Sequence, residues 1–561
     1  MANKTQHQYT DLENIQRLVD RFKRQVPNDS KYQERLAEEM ELILKLKFTD
    51  YFIKICEVLD LTKDISHMTR GSAGSSLVCW LLGITDVDPI EWNIPLARFI
   101  NPLRDDLPDV DIDFPHWRQE EVMNRIFDHY PGRSARISNY VMYKERSARR
   151  EAAKRLGVKG NLPRNFTYEK LGIDVEEAQR IEEKLLGKKR CISKHCGGVL
   201  IMDRALPKSL ITQQNQILLD KHEVEDLEHL KIDILANRGL SQLLEIEPNR
   251  KLEDYPKEDA KTAELLCRGD VLGVTQGESP AMRRLFRAIK PKSMYDCVWA
   301  TALVRPVAME GRKRASLFQN FTREAIDSAI VYEDDAIEQI ARHAGIDHYK
   351  ADQYRRAFAK GNDEKIMEFM ELVGNHPKRR ELIHELHSLS GFGLCKAHAI
   401  NLGRLIWALA YQKAHNPKRF WEACLKHCQG SYRRWVYKVE AQAAGVNVPP
   451  GKNMTIIDEP EWQFEEYGWW QGKNFLERCY VKDIYLDYVE LRGLIANGRV
   501  YKQERGKYVT FLMLGIGVGE YVDCVVPKAV SYHEHRELWL RGKVKSRNGT
   551  RYVEAQDWKV I

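Results

Sequence analysis

Three aspartates occupy alternate positions in Pro108-Asp109-Val110-Asp111-Ile112-Asp113-Phe114. On an extended strand, residues two apart share a face with Cα atoms roughly 6.5–7 Å apart. The spacing therefore predicts three carboxylates on one face, with Val110 and Ile112 on a face fit for burial. Carboxylates so placed repel unless something positive sits between them. Hard oxygen ligands suit magnesium, and two of them on one face can bridge two ions about 3.5–4 Å apart. An edge strand that uses acids for solubility has the same pattern, and D-x-D recurs widely in sugar and phosphate transferases. Another acid, Asp233, lies in His229-Leu230-Lys231-Ile232-Asp233-Ile234-Leu235. Alone, it reads more readily as a capping or salt-bridged side chain than as a ligand.

Three further segments carry recognisable chemistry. Arg70-Gly71-Ser72-Ala73-Gly74-Ser75-Ser76 runs straight into an apolar helix. Its glycines let backbone N–H groups approach an anion, its hydroxyls add donors, and the helix N-terminus adds partial positive charge. A plain N-cap fits equally well. Residues 144–155 (KERSARREAAKR) hold six cations against two acids, and Arg146, Arg150 and Lys154 recur every four residues. That spacing makes one basic helical stripe, either a nucleic-acid contact or a solvated face. Ser431-Tyr432-Arg433-Arg434-Trp435 interleaves cations with aromatics, as a template-strand contact would.

Residues 1–30 are polar; a helical pattern spans Tyr32 to Leu61; Ser76–Gly83 is a buried helix; Pro108–Phe114 is a strand. Residues 117–190 read as helical and highly charged, 194–202 and 230–235 as short strands, and 258–442 as mainly helical. A linker with Pro449-Pro450-Gly451 follows. The tail from Val489 has about five alternating strands, which suits a small barrel of the OB type. At 561 residues the chain exceeds one core and should form about three or four domains. The formal charge of +7 permits nucleic-acid binding without establishing it. Eleven scattered cysteines without a C-x-x-C predict reduced thiols rather than zinc at Cys424-x-x-His427-Cys428. No apolar run approaches the ~18 residues of a membrane span, and no signal segment opens the chain, which points to the cytoplasm.

Taken in order, these segments resemble the catalytic alpha subunit of bacterial DNA polymerase III, the family C replicative polymerases. That family has an R-G-S loop, then S-L-V, I-T-D-x-D-P, R-F-x-N-P and P-D-x-D-x-D-F. Here the corresponding residues are Arg70-Gly71-Ser72, Ser76-Leu77-Val78, Ile84 to Pro89, Arg98 to Pro102 and Pro108 to Phe114. Lys194-His195-Cys196-Gly197-Gly198-Val199 is similar to K-H-A-G-G-V, Lys231-Ile232-Asp233 to K-x-D and Gln276 to Ser279 to Q-x-E-S. Leu303 to Pro306 is similar to L-x-R-P, Arg355 to Lys360 to R-R-A-M-x-K and Gly391 to His398 to G-Y-G-F-N-K-S-H. Departures include Val307 for a glycine and Ala397 for a serine. The family's phosphoesterase-like domain, exonuclease pattern, full helix-hairpin-helix and clamp-binding peptide find no counterpart. So compact a form suggests a phage or other mobile-element origin.

The resemblance implies an α+β multidomain enzyme with a palm like that of DNA polymerase beta and helical thumb and fingers. Its divisions here are an N-terminal extension (1–30), palm (31–140 and 191–245), thumb (141–190), fingers (246–442), a linker with a reduced helix-hairpin-helix (443–488) and an OB-type barrel (489–561). It further implies DNA-templated extension of a primer 3′-hydroxyl with dNTPs. Asp109, Asp111 and Asp233 would hold two Mg²⁺ ions, with Mn²⁺ as a substitute. Gly71 and Ser72 would bind the triphosphate, Arg98 and Lys231 offset phosphate charge, and Arg305, Arg356, Lys360, Lys396 and His398 contact the nucleotide. Asp113 is not among the family's ligands, which leaves it direct involvement or a salt-bridge role. Arg146, Arg150 and Lys154 would grip the duplex. A sliding clamp or single-strand-binding protein is a further expected partner. Rival readings are a template-independent transferase on the same palm and a catalytically dead DNA-binding scaffold.

Overall fold

A central sheet draws its strands from segments widely separated along the chain. The computed structural model describes residues 9–104, 108–163, 166–212, 214–220, 223–224, 230–305, 330–374, 377, 379–389, 393–428, 430–448, 476, 479–485, 487–503, 506–532, 537–547 and 550–561. Six strands stand in the order β1 (Met68–Arg70), β2 (Val110–Pro115), β6 (Leu230–Asn237), β4 (Lys189–Ile201), β3 (Ser134–Met142) and β5 (Gln216–Asp220). β2 and β6 run parallel, while β1 on one side and β4 on the other are antiparallel to them. The alternation in β2 and β6 sends Val110, Ile112, Ile232 and Ile234 into a core shared with Phe52 and Ile55 of the helix Thr49–Leu61 and Val122, Met123 and Ile126 of the helix Gln119–His129. Burial of each large apolar side chain contributes roughly 1.5–3 kcal/mol.

Two elements differ from expectation. The helical pattern through Leu61 is two helices, Ser30–Lys45 and Thr49–Leu61, broken where Lys47 takes φ 59°. Within residues 117–190, read as helical, β3 is a nine-residue strand paired with β4. Ala135 and Ile137 are buried from it, a period-two signal masked by the charged helices Gln119–His129 and Glu145–Arg155 on either side.

Helices form two further bodies. The helix Lys396–His415 runs through a large core, packed by Arg238–Ile246, Ala260–Arg268, Met294–Leu303 and Pro417–His427. Four helices, Glu333–Ala344, His348–Lys360, Asp363–Val373 and Arg379–Leu389, share a smaller core around Tyr354, Phe358 and Phe369.

The C-terminal strands close into a barrel. β8 (Tyr488–Lys502), β9 (Tyr508–Gly517), β10 (Glu520–Val526), β12 (Thr550–Val560) and β11 (Glu537–Arg547) follow one another around it, and β11 pairs back onto β8. β10 with β12 is the parallel pairing. β7 (Tyr480–Tyr485), in the stretch read as linker, adds to β8 as a hairpin; most of that linker lies outside the described residues. The protein is thus a mixed α/β chain ending in a closed five-stranded, OB-like barrel.

The barrel is fused to the helical core. Leu494, Ala496 and Met513 share it with Trp435, and an added Cβ at Gly515 would stand 2.7 Å from the Trp435 ring. Tyr432 is buried as well, and the Arg433 amide donates to Ala496 O at 3.0 Å. The aromatics of Ser431–Trp435 therefore face a domain junction and not a template strand; interleaved cations and aromatics serve burial as readily as stacking. Among the described residues no helix is long and apolar enough to cross a membrane.

Candidate active site

Register across β2 and β6 sets Asp111 directly opposite Asp233, and Arg70 of β1 opposite Asp111 on the other side. Asp109 is exposed just before β2. The Lys231 Nζ lies 3.2 Å from Asp109 Oδ1 and 3.3 Å from Asp233 Oδ2, so one ammonium joins two of the three acids. Burial, then the charges of Asp233 and Asp109, push the Asp111 carboxyl up to about 7, against the pull of Arg70 and Lys231.

Asp233 Oδ1 is buried with no hydrogen-bond partner. His195 Nδ1 lies 3.8 Å away but already accepts from the Gly197 and Gly198 amides at 3.2 and 2.6 Å, so it has no proton to offer. Gly197 is required by this approach, since a Cβ there would stand 2.7 Å from Ile234 O of β6. Three crowded carboxylates, one with an orphaned buried oxygen, form a donor set suited to a hard cation. Among the described residues no group of three acid, His or Cys side chains is placed to hold a metal ion, and the Lys231 ammonium stands between Asp109 and Asp233.

The other acid of β2 differs. Asp113 is 1% exposed; it accepts from Arg70 Nε at 2.9 Å and Nη2 at 2.5 Å on Oδ1, and from Asn237 Nδ2 at 2.9 Å on Oδ2. Both oxygens are engaged by protein donors.

The loop after β1 is gripped from two sides. Gly71 has φ +80°, and a Cβ there would stand 3.3 Å from Asp111 Oδ2, so glycine lets the loop reach the acids. The Cys395 thiol donates to Gly71 O at 3.3 Å, and Asn401 Nδ2 donates to Thr69 O. On the other side the helix Leu77–Leu81 has its N-terminus already occupied by an anion of the protein itself. The fully buried Glu39 carboxylate accepts from Ser76 Oγ at 2.7 Å and from the Leu77 and Val78 amides at 2.7 and 3.0 Å, and Arg35 Nε binds it at 2.8 Å. That overturns the expected helix-dipole contribution and leaves Gly71 and Ser72 as the loop's share of any phosphate site.

The remaining cations divide into two groups. Arg98 pairs with Glu333 at 2.5 Å, and Glu333 also meets Arg355 at 3.3 Å. Arg355 and Arg356 both pair with the buried Asp352, at 2.8 and 3.3 Å, so Arg98 and Arg356 are engaged within the protein. Lys360 is exposed, four residues beyond Arg356. The Lys396 amide donates to Asp334 Oδ2 at 2.7 Å. Burial, then the charges of Arg70 and Arg305, push His398 down to about 4, and its buried Nδ1 has no partner. The charge of Arg70 thus acts on His398 as well as on Asp111. Pro306, Val307, Gly391 and Phe392 lie outside the described residues.

Arg146, Arg150 and Lys154 line one cleft of about 900 Å³ together with Lys144 and Arg190. Arg150 is partly committed, donating to Leu162 O at 2.8 Å; Arg146 and Lys154 are exposed. Sequence reasoning missed Glu39, Arg70, Asn237 and Cys395. A signal existed for Glu39, which has Arg35 one turn before it and Met40 and Ile43 beside it.

The family described as bacterial DNA polymerase III alpha NTPase domain matches residues 8–236, and the bacterial DNA polymerase III alpha subunit finger domain matches 239–379. A DNA polymerase III subunit alpha of Halalkalibacterium halodurans is 30% identical over 452 residues, covering 70% of this chain and 40% of that protein. One of Staphylococcus aureus is 28% identical over 510 residues, covering 80% and 47%. The chain thus spans less than half the length of these curated relatives.

Proposed function

The chain belongs to the bacterial DNA polymerase III alpha family, and from that premise we propose that it is a DNA-templated DNA polymerase acting in replication. The observation that carries this reading is the register of Asp111 against Asp233 on adjacent parallel strands, with Asp109 and the Gly71 loop at the same end. On this reading the first sheet with its helices is a palm of the polymerase-beta kind. The segment around Glu145–Arg155 is the thumb, and the helices from Arg238 to Ala443 are the fingers.

Asp109, Asp111 and Asp233 would hold two Mg²⁺ ions, or Mn²⁺ in their place. When bound, such ions favour the ionised primer 3′-hydroxyl and neutralise charge on the triphosphate and departing pyrophosphate. The chain's own groups do the rest. Asp111 and Asp233 fix the reacting end of the primer against β2 and β6. Lys231, released from Asp109, offers its ammonium to phosphate. Gly71 and Ser72 approach the triphosphate closely because no side chain stands between the loop and Asp111. Arg305 and His398 face it from the fingers, with Lys360 and Lys396 further out. Arg146 and Lys154 bind duplex backbone in the cleft beside β3 and β4, Arg150 shaping that cleft. On the barrel, Arg499 lies over the exposed Tyr501, whose ring meets exposed Phe511 edge-on at 5.4 Å. That group suits stacking with unpaired template bases. A sliding clamp or single-strand-binding protein is the expected accessory.

Primer extension tests the reading directly. On templates differing at one base, the incorporated dNTP should switch with the template base. Extension indifferent to the template would favour a template-independent transferase, and DNA binding without extension would favour a scaffold.

A further inference from the structure

Among the acids of β2, Asp113 alone has both oxygens taken by protein side chains. It shares a face with Asp111 yet is buried, and what it holds is a cation rather than a site for one. Arg70 is bound through Nε and Nη2, the edge that would otherwise swing freely on its long stem. Among the described residues its Nη1 has no hydrogen-bond partner, and about a third of the side chain is exposed. Arg70 stands in register with Asp111, and its charge is felt by both Asp111 and His398. One guanidinium therefore lies where the acid strand, the Gly71 loop and the helix Lys396–His415 converge.

We propose that Asp113 is a positioning residue that aims Arg70, so that the free Nη1 edge of Arg70 takes an oxygen of the incoming triphosphate. The inference rests on the polymerase reading above. A planar fork held along one edge keeps its other edge in a fixed direction, which a lysine at the same place could not do. Asn237 completes the device, because its amide fixes the Asp113 carboxylate from the side opposite Arg70. Its own Oδ1 accepts from the Leu240 amide at 2.9 Å, which ties the device to the start of the helix Arg238–Ile246.

Steady-state single-nucleotide extension with Asp113→Asn, Arg70→Ala, Arg70→Lys and the Asp113→Asn/Arg70→Ala double variant tests this. Asp113→Asn should raise KM for dNTP about ten-fold with kcat within roughly three-fold. The Mg²⁺ concentration for half-maximal rate should be unchanged, and Mn²⁺ should not rescue. Arg70→Ala should raise KM at least as far, Arg70→Lys less, and the double variant no further than Arg70→Ala alone. Should Asp113→Asn not fold, Asn237→Ser is measured in its place, with a smaller KM rise expected. Each variant is also measured for dNTP affinity on a primer with a chain-terminated 3′ end, which needs no catalysis. Wild-type extension with KM and affinity unmoved in the variants overturns the inference alone, as does a shifted Mg²⁺ requirement for Asp113→Asn, which would make it a ligand. Wild-type protein that neither extends a primer nor binds dNTP overturns the polymerase reading and this inference together.

Discussion

The two sheets put similar strands to opposite uses. In the barrel, Leu491, Ile495, Leu514, Leu538 and Leu540 fill an apolar interior, and closure of β11 onto β8 removes the free edges. In the first sheet, acids and cations are gathered at one end of β2 and β6, and the surroundings must hold them. Asp113 with Arg70 and Asn237 does so from within β2, β1 and β6, and Glu39 with Arg35, Cys395 and Asn401 do so from outside the sheet. A sheet that hosts charge at its centre needs buried polar braces; a closed apolar barrel needs few. The barrel's own buried acid, Glu537, meets a half-buried Arg492 that water can reach.

The sharpest test of that contrast is Asp111→Asn. It should reduce primer extension by more than about a thousand-fold while duplex affinity stays within a few-fold. Substantial residual extension would remove Asp111 from the ligand set.

Bracing acids come next. Glu39→Ala leaves Arg35 and three donors without their partner and should lower stability by about 3–5 kcal/mol in urea unfolding. Glu537→Ala in the barrel should lower it by only about 1 kcal/mol, since Arg492 regains water. Equal losses would erase the contrast.

A pH effect of intermediate size should arise at Asp335, which accepts from the Val331 and Tyr332 amides at 2.9 and 2.8 Å and is pushed up to about 6 by burial. A carboxyl raised in the folded state keeps its proton where the unfolded chain has lost it. Its contribution is therefore most favourable below about pH 4 and declines as pH rises toward 6, by at most about 3 kcal/mol. Urea unfolding of wild type and Asp335→Asn at pH 4.5 and pH 7 should show this slope in the former only. The smallest effect expected is at the cleft. Arg146→Ala or Lys154→Ala should weaken duplex binding a few-fold and reduce the slope of log affinity against log salt by about 0.9 each. Arg150→Ala should also lower stability, because its guanidinium braces Leu162.

Legibility followed sequence distance. The barrel strands pair mostly with neighbours, so period-two patterns and turns from Val489 onward sufficed to expect it. β3 also alternates, but charged helices flank it and its partner β4 lies beyond them. The pairing of Asp111 with Asp233 cannot be read from either segment, since neither contains the other's register; motif order suggested it. The braces were hidden for a different reason. Glu39 looks like any charge on an amphipathic helix until Ser76 and the amides after it arrive, and Asp113 looks like its two neighbours until Arg70 and Asn237 occupy it. Tyr432 and Trp435 were misread because the barrel surface that covers them is distant in sequence.

The bond from Asn401 to Thr69 spans 332 positions, and this has a consequence for the order of events during synthesis. The acid strand leaves the ribosome early, whereas the side chain that ties down β1 beside it is made much later. At roughly 5–20 residues per second the interval is about 15–65 s. Throughout that time the nascent chain carries its carboxylates without the last of the braces, so the acid cluster is among the final parts of this half of the protein to be assembled.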